Sequence, residues 1–317
     1  MNYALDAIWW RLRHPAVRDL ATLLTAPPLW HSGCELPIPR LLGNQGFRFL
    51  LSLDDAPAPL TQWLEQEAPF GHRLGRYAES LLAFWLARAP HCQLIARNHP
   101  VRSESGQTLG AADFLCLLDS APYHLELTCK YYGGTTPDDF QGLNPTDTLL
   151  GKAAKLQQQC HLFHTPQARA QLPAPLQGYL KTSAASFCEA KTSEASPCKV
   201  NTSKTDCRQP QNFSQPLNTA TIIRGIGFTP NGILNGSPLN LLGWSGLLLQ
   251  QWADYPTQAA QRFHPLPRLA YLAPARVPLE QTINAAELVH QAPGLIAVVE
   301  QRPDGMWHET QRLMCRG

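Results

Sequence analysis

Three carboxylates and one lysine stand in apolar surroundings within the first 130 residues of this chain. Asp113 interrupts AADFLCLL (111–118), Glu126 and Lys130 lie in YHLELTCKYY (123–132), and Glu79 lies in LGRYAESLLAFWLARA (74–89). A carboxylate in a buried strand is costly unless it is paired or holds a cation. Oxygen donors of this kind suit Mg²⁺ or Mn²⁺. A cation so held can activate water and clamp a phosphate, while a lysine stabilises the developing negative charge. In an extended segment Glu126, Thr128 and Lys130 share one face. The same residues also admit a plainer account. Asp113 and Lys130 would then be a paired couple in a half-buried sheet, and Glu79 a solvated helix residue. Arg73, Arg76, Lys152 and Lys155 read as a solvated face or as phosphate contacts. His124 reads as structural, on the pleat opposite Glu126 or at the strand end. The Gly225–Gly227 pair lacks the third glycine of a dinucleotide loop.

The elements that must position these groups follow from periodicity and punctuation. Residues 3–25 read as a helix ended by Pro27 and Pro28, and 26–57 as irregular, Pro- and Gly-rich chain. A short helix is expected over 59–67. From 74 to 89, apolar residues at 74, 77, 81, 82, 85 and 86 give the spacing of a buried helical face. Strands follow at 93–101, 111–118 and 123–132, then a helix from Pro145 to about His164. Residues 182–219 are Ser/Thr/Lys-rich with almost no large apolar side chains, the composition of a flexible insertion. Strand character returns at 221–230. A helix is expected within 238–262, then strand 268–272, helix 284–291 and strands 294–301 and 306–313. The order over 68–230 is therefore α, β, β, β, α, β, in which the later helix permits a parallel crossover. Residues 1–67 form an N-terminal helical extension and 231–317 a C-terminal α+β extension.

Several blocks carry a resemblance. LRHPAVRDLATLLTAPPL (12–29), LGRYAESLLAFWL (74–86), LGAADFLCLL (109–118), HLELTCKYY (124–132), LNPTDTLLGKAAKLQQQ (143–159) and LPRLAYLAPAR (266–276) resemble a bacterial family known only as domain-of-unknown-function family 1853. The central blocks also resemble the PD-(D/E)XK nuclease superfamily. That resemblance implies an α/β fold with an αβββαβ core, and a divalent metal, Mg²⁺ or Mn²⁺, held by one acid on the first helix and one on each of the second and third strands. By position the metal ligands are Glu79, Asp113 and Glu126, and the catalytic groups Asp113, Glu126 and Lys130. The implied activity is phosphodiester hydrolysis in DNA or RNA, with nucleic acid as partner. Two departures stand out. The superfamily sets acid and lysine two residues apart, roughly 7 Å along a strand, whereas Glu126 and Lys130 are four apart, about 13 Å. Ala112 stands where a proline usually precedes the acid. These departures support an alternative: a non-catalytic module that keeps a degenerate nuclease fold to bind nucleic acid or protein.

Composition sets the outer limits. The 317 residues are 44% hydrophobic and 16% charged, which describes a well-buried folded chain. A formal net charge of +2 announces no broad basic field, so any nucleic-acid groove is local. The longest apolar run, Leu239–Leu249, falls far short of the roughly 20 residues that span a bilayer. The first residues lack the pattern of a signal peptide. Nine cysteines without a CxxC pair fit buried thiols in a reducing compartment, so the expected location is the cytoplasm.

Overall fold

The computed structural model describes residues 11–178, 217–258 and 260–316. The start of the expected N-terminal helix and residues 182–216 of the expected insertion lie outside these. Residues 217–219 are described, and strand begins at Asn218, inside the span assigned to the insertion.

Helix α1 (Pro15–Thr25) starts on a proline at its first position, where no amide partner is needed, and buries nearly every side chain. The stretch expected to be irregular instead holds two helices, α2 (Ile38–Leu42) and α3 (Gly46–Asp55). Burial of Leu41, Leu42, Leu50 and Leu53 on the α1 side outweighs the local Pro and Gly signals. Helix α4 (Ala58–Glu67) follows. Helix α5 (Leu74–Arg88) is built from strong helix formers and stops where Pro90 forces Ala89 into an extended conformation.

Strands β1 (Cys92–Arg102), β2 (Thr108–Leu118) and β3 (Ala121–Gly133) form an antiparallel meander. The next helix, α6 (Leu149–Cys160), begins four residues later than expected. Asn144 spends its side chain on Thr146, whose amide donates to Oδ1 at 3.1 Å, and Thr148 takes the capping role by accepting from Gly151. After α7 (Pro166–Ala170), β4 (Asn218–Thr229) returns parallel to β3. The order α5-β1-β2-β3-α6-β4 is thus the one read from the sequence, with the short α7 added.

The C-terminal part continues the same sheet. Strands β5 (Ser245–Leu249), β6 (Arg262–Pro265), β7 (Arg276–Val277), β8 (Gly294–Gln301) and β9 (Trp307–Cys315), with helix α8 (Ala285–Leu288) between β7 and β8, complete a nine-stranded mixed sheet ordered β1-β2-β3-β4-β5-β9-β8-β6, with β7 on β9. The helix expected within 238–262 is replaced by β5 and a short 3-10 turn at Trp252–Asp254. Residues 268–271 form a 3-10 turn, not a strand. At Gly246 an added Cβ would lie 2.4 Å from the Arg312 carbonyl oxygen, so β5 and β9 approach too closely for a side chain there.

Three apolar clusters bear on the site. Helix α5 places Leu81, Leu82 and Trp85 against Phe114, Leu125 and Tyr131 on one face of the meander. On the other side, α6 contributes Leu149 and Leu156 to a cluster with Tyr132 and Ile223. Phe163, Leu172 and Leu176 cover Leu115 and Leu117. The six described cysteines, Cys34, Cys92, Cys116, Cys129, Cys160 and Cys315, are free thiols. Among the described residues no helix is long and apolar enough to cross a membrane.

Candidate functional site

The β2–β3 ladder runs from the Leu118–Ala121 pair to the Phe114–Leu125 pair and stops. The next two residues are Asp113 and Glu126, and here side chains replace the main-chain bonds. The Asp113 amide donates to Glu126 Oε1 at 3.3 Å, and the Leu127 amide donates to Asp113 Oδ2 at 2.9 Å. On the far side of β2, Asn98 adopts a left-handed φ of 48° at the position facing Asp113, between the Arg97–Phe114 and His99–Ala112 pairs. The backbone is distorted where the strands part, and two carboxylates satisfy the amides that would otherwise be orphaned. Asp113 and Glu126 are therefore adjacent on neighbouring strands.

Their electrostatics are unfavourable without a cation. Burial, followed by the charge of Glu126 and a smaller contribution from Glu79, pushes the Asp113 carboxyl up to about 7. Glu126 is fully buried, and among the described residues its Oε2 has no hydrogen-bond partner. Its Oε1 accepts from His124 Nε2 at 2.8 Å, and the His124 ring packs edge-on against Phe163 at 5.1 Å. His124 lies near the strand end, one of its two expected placements, since β3 begins at Ala121. It does not sit on the opposite pleat, the other placement, and thus shares the face of Glu126. The period-two signal for this was present, since the two residues are two apart on one strand.

Glu79, on α5, is half-buried, and burial raises its carboxyl above the ordinary range. It lines a cleft of about 310 Å³ together with residues 127–131 of β3 and the loop before α6. Neither Asp113 nor Glu126 lines that cleft; Glu79 and Lys152 reach both, lining the cleft while interacting electrostatically with Asp113. Among the described residues no group of three or more His, Cys, Asp or Glu side chains is arranged to hold a metal ion.

Lys130 opens onto the cleft, but its partner is neither Asp113 nor Glu126. Its Nζ donates to Asp147 Oδ2 at 2.6 Å and lies 5.8 Å from the Tyr132 ring centroid. Tyr132 donates its hydroxyl hydrogen to Asp147 Oδ1 at 2.8 Å. The paired Asp113–Lys130 couple of the plainer account is not formed. The loop carrying Asp147 is tied back by the Gly133–Gln141 and Gln141–Thr148 bridges. Gly225 of β4 stands opposite Lys130, and an added Cβ would lie 1.7 Å from the Lys130 carbonyl oxygen, so the glycine serves strand approach.

The cation that accompanies the acid pair comes from α6. Lys152 lines the cleft, and its charge favours the ionised forms of Asp113 and Glu79. Burial, then repulsion from Lys130, lowers its own pKa. In the sequence Lys152 read as part of a solvated face or as a phosphate contact, with nothing to tie it to the acid pair. Its one-turn offset from the cap at Thr148 becomes meaningful once the true helix start is known.

This is a mixed α/β protein with one long sheet and a carboxylate pair where β2 and β3 separate. The family model described as a domain of unknown function, DUF1853, matches residues 18–203, more than half of the chain, and the chain belongs to that family. No curated protein and no solved structure matches it.

Proposed function

We propose that the chain is a PD-(D/E)XK-like nuclease, hydrolysing phosphodiester bonds in DNA or RNA with Mg²⁺ or Mn²⁺ at the Asp113–Glu126 pair. The observation that carries this is the pair itself: two adjacent carboxylates, one oxygen without a partner among the described residues, and a carboxyl pushed up by burial and by the neighbouring Glu126 charge. The donor set fits a hard divalent cation. Such ions bind through as few as one or two protein carboxylates, with water and substrate oxygens completing the shell, so a three-residue cage is not required. Asp113 and Glu126 would hold the ion, with Glu79 the third acid in range. When bound, the ion supplies Lewis acidity at the phosphoryl group.

The protein's own residues account for the rest. Lys152 places positive charge beside the acid pair and Lys130 adds charge in the adjoining cleft, where a low-dielectric wall strengthens attraction for a phosphate. Lys130 must exchange Asp147 for the substrate before it can serve. The matching αβββαβ order supports the reading, as does the cationic lining in a chain of only +2 overall.

One observation favours the alternative, a non-catalytic module that binds nucleic acid or protein: Lys130 is already satisfied by Asp147. Incubation of the full chain with duplex DNA, single-stranded DNA and RNA, in Mn²⁺ and separately in Mg²⁺, tests the proposal. Cleavage abolished by Asp113→Asn and by Glu126→Gln is expected. Substrate binding without cleavage in either metal would leave the binding module.

A further inference from the structure

The turn at Arg268–Tyr271 lies beyond the family match and beyond the αβββαβ core, yet it forms part of the cleft wall. Its position is fixed from below. Tyr131 of β3 donates its hydroxyl hydrogen to the Tyr271 carbonyl at 2.7 Å, and the two rings meet edge to face at 5.3 Å. The buried Arg312 donates to the same carbonyl. From this anchored turn the Arg268 guanidinium extends over the Tyr271 ring, 5.1 Å from its centroid, which fixes the plane of its donors. Arg268 is exposed, and among the described residues no carboxylate pairs with it. Arg73, at the start of α5, is likewise exposed, has no ion pair among the described residues, and stands on the wall of the same cleft.

We infer that Arg268 and Arg73 form an outer anion subsite that takes a backbone phosphate neighbouring the one at the carboxylate pair. The inference rests on the proposed nuclease reading and deepens it: the C-terminal region supplies part of the nucleic-acid site. Arginine suits the task because its planar fork meets two phosphate oxygens at once, which a lysine ammonium cannot do. The cleft's carboxylates do not compete strongly, since Asp147 is taken by Lys130 and Glu79 lies on the side of the acid pair.

The test is fluorescence anisotropy of the full chain with a labelled 12-nucleotide DNA, single-stranded and duplex, and an RNA of the same sequence, titrated across NaCl concentrations without divalent metal. Arg268→Gln should weaken binding roughly 3- to 10-fold and reduce the salt slope by about 1, as expected for one lost phosphate contact. Arg73→Gln should act similarly, and the double substitution should lower the slope by about 2. Arg268→Lys keeps the charge but not the fork, so it should retain the slope while losing affinity. Arg88→Gln, at the opposite end of α5, is the control and should change neither. Wild-type binding with an unchanged affinity and slope in Arg268→Gln overturns the subsite and leaves the nuclease reading intact. Absence of wild-type binding to all three probes overturns the subsite, and absence of both binding and cleavage when Mg²⁺ is then added overturns the nuclease reading as well.

Discussion

Lys130 reaches forward to Asp147 at 2.6 Å and not back to Glu126, four residues behind it on the same strand. The contact joins β3 to the loop before α6, and Tyr132 secures its other oxygen. The spacing that departs from the nuclease pattern therefore has a structural counterpart: the lysine serves the cleft mouth, while Lys152 serves the acid pair.

Replacing Asp147 with Asn should free Lys130 for an incoming phosphate. The ion pair is partly exposed, at 24% and 34% for the two side chains, so its loss should cost no more than about 1 kcal/mol of stability. Affinity for a labelled oligonucleotide should rise about 2- to 5-fold, the gain expected from unmasking one phosphate contact. Weaker binding would instead make Asp147 a ligand contact.

Gly225→Ala tests how tightly β3 and β4 must approach beside Lys130. The glycine has a φ of 137°, and a methyl group there would meet the Lys130 carbonyl oxygen at 1.7 Å. Backbone strain of this kind is worth about 1–3 kcal/mol, and the clash adds to it. Chemical denaturation should show a loss of unfolding free energy at least that large. A neutral outcome would mean that the strands part without cost.

Asp19 gives a pH-dependent prediction. Its carboxylate accepts from Tyr77 Oη at 2.8 Å and from the Ala273 amide at 3.0 Å, and burial pushes its carboxyl up to about 6. The folded value lies above the unfolded one near 4, so the folded state holds the proton more tightly. The stability this contributes is present below about pH 4 and is lost as pH rises through about 6. Asp19→Asn loses one acceptor at every pH but cannot lose a proton. The Tm difference, mutant minus wild type, should therefore climb between pH 4 and 6 and then level off. A flat difference would show that Asp19 is ionised throughout.

What was legible in the sequence was what local periodicity controls. The run at 74–88 follows helical spacing through its buried residues, and strand 294–301 is bounded as read because a continuous apolar run meets turn residues at both ends. The Asp113–Glu126 encounter followed from two consecutive strands joined by a short turn. The partner of Lys130 was not legible, because Asp147 arrives through a loop whose path is set by the Gly133–Gln141 bridge. Arg268 was hidden for a similar reason. Its turn reads as a strand, and only the tertiary stack of Tyr271 on Tyr131 brings it to the cleft. Leu50 and Leu53 show the converse, where burial against α1 makes a helix in a segment that composition marks as irregular.

The acid pair supplies the most direct test of the metal. In the wild type, Mn²⁺ should raise the Tm at pH 8, where Asp113 is ionised, and a concentration 100 times the Kd should add about 2.7 kcal/mol. Asp113→Asn should abolish that response. Without metal, the same variant should be no less stable than the wild type at pH 8. The amide oxygen of Asn can still accept from the Leu127 amide, and the repulsion between Asp113 and Glu126 disappears. Had Asp113 been the structural partner of Lys130, the substitution would have left a lysine uncompensated, at about 3–5 kcal/mol if fully buried. The observed Lys130–Asp147 pair removes that cost. An Asp113→Asn protein that is stable, paired with a wild type whose melting is indifferent to both Mg²⁺ and Mn²⁺, would end the metal proposal and leave the carboxylates as substitutes for two ladder hydrogen bonds.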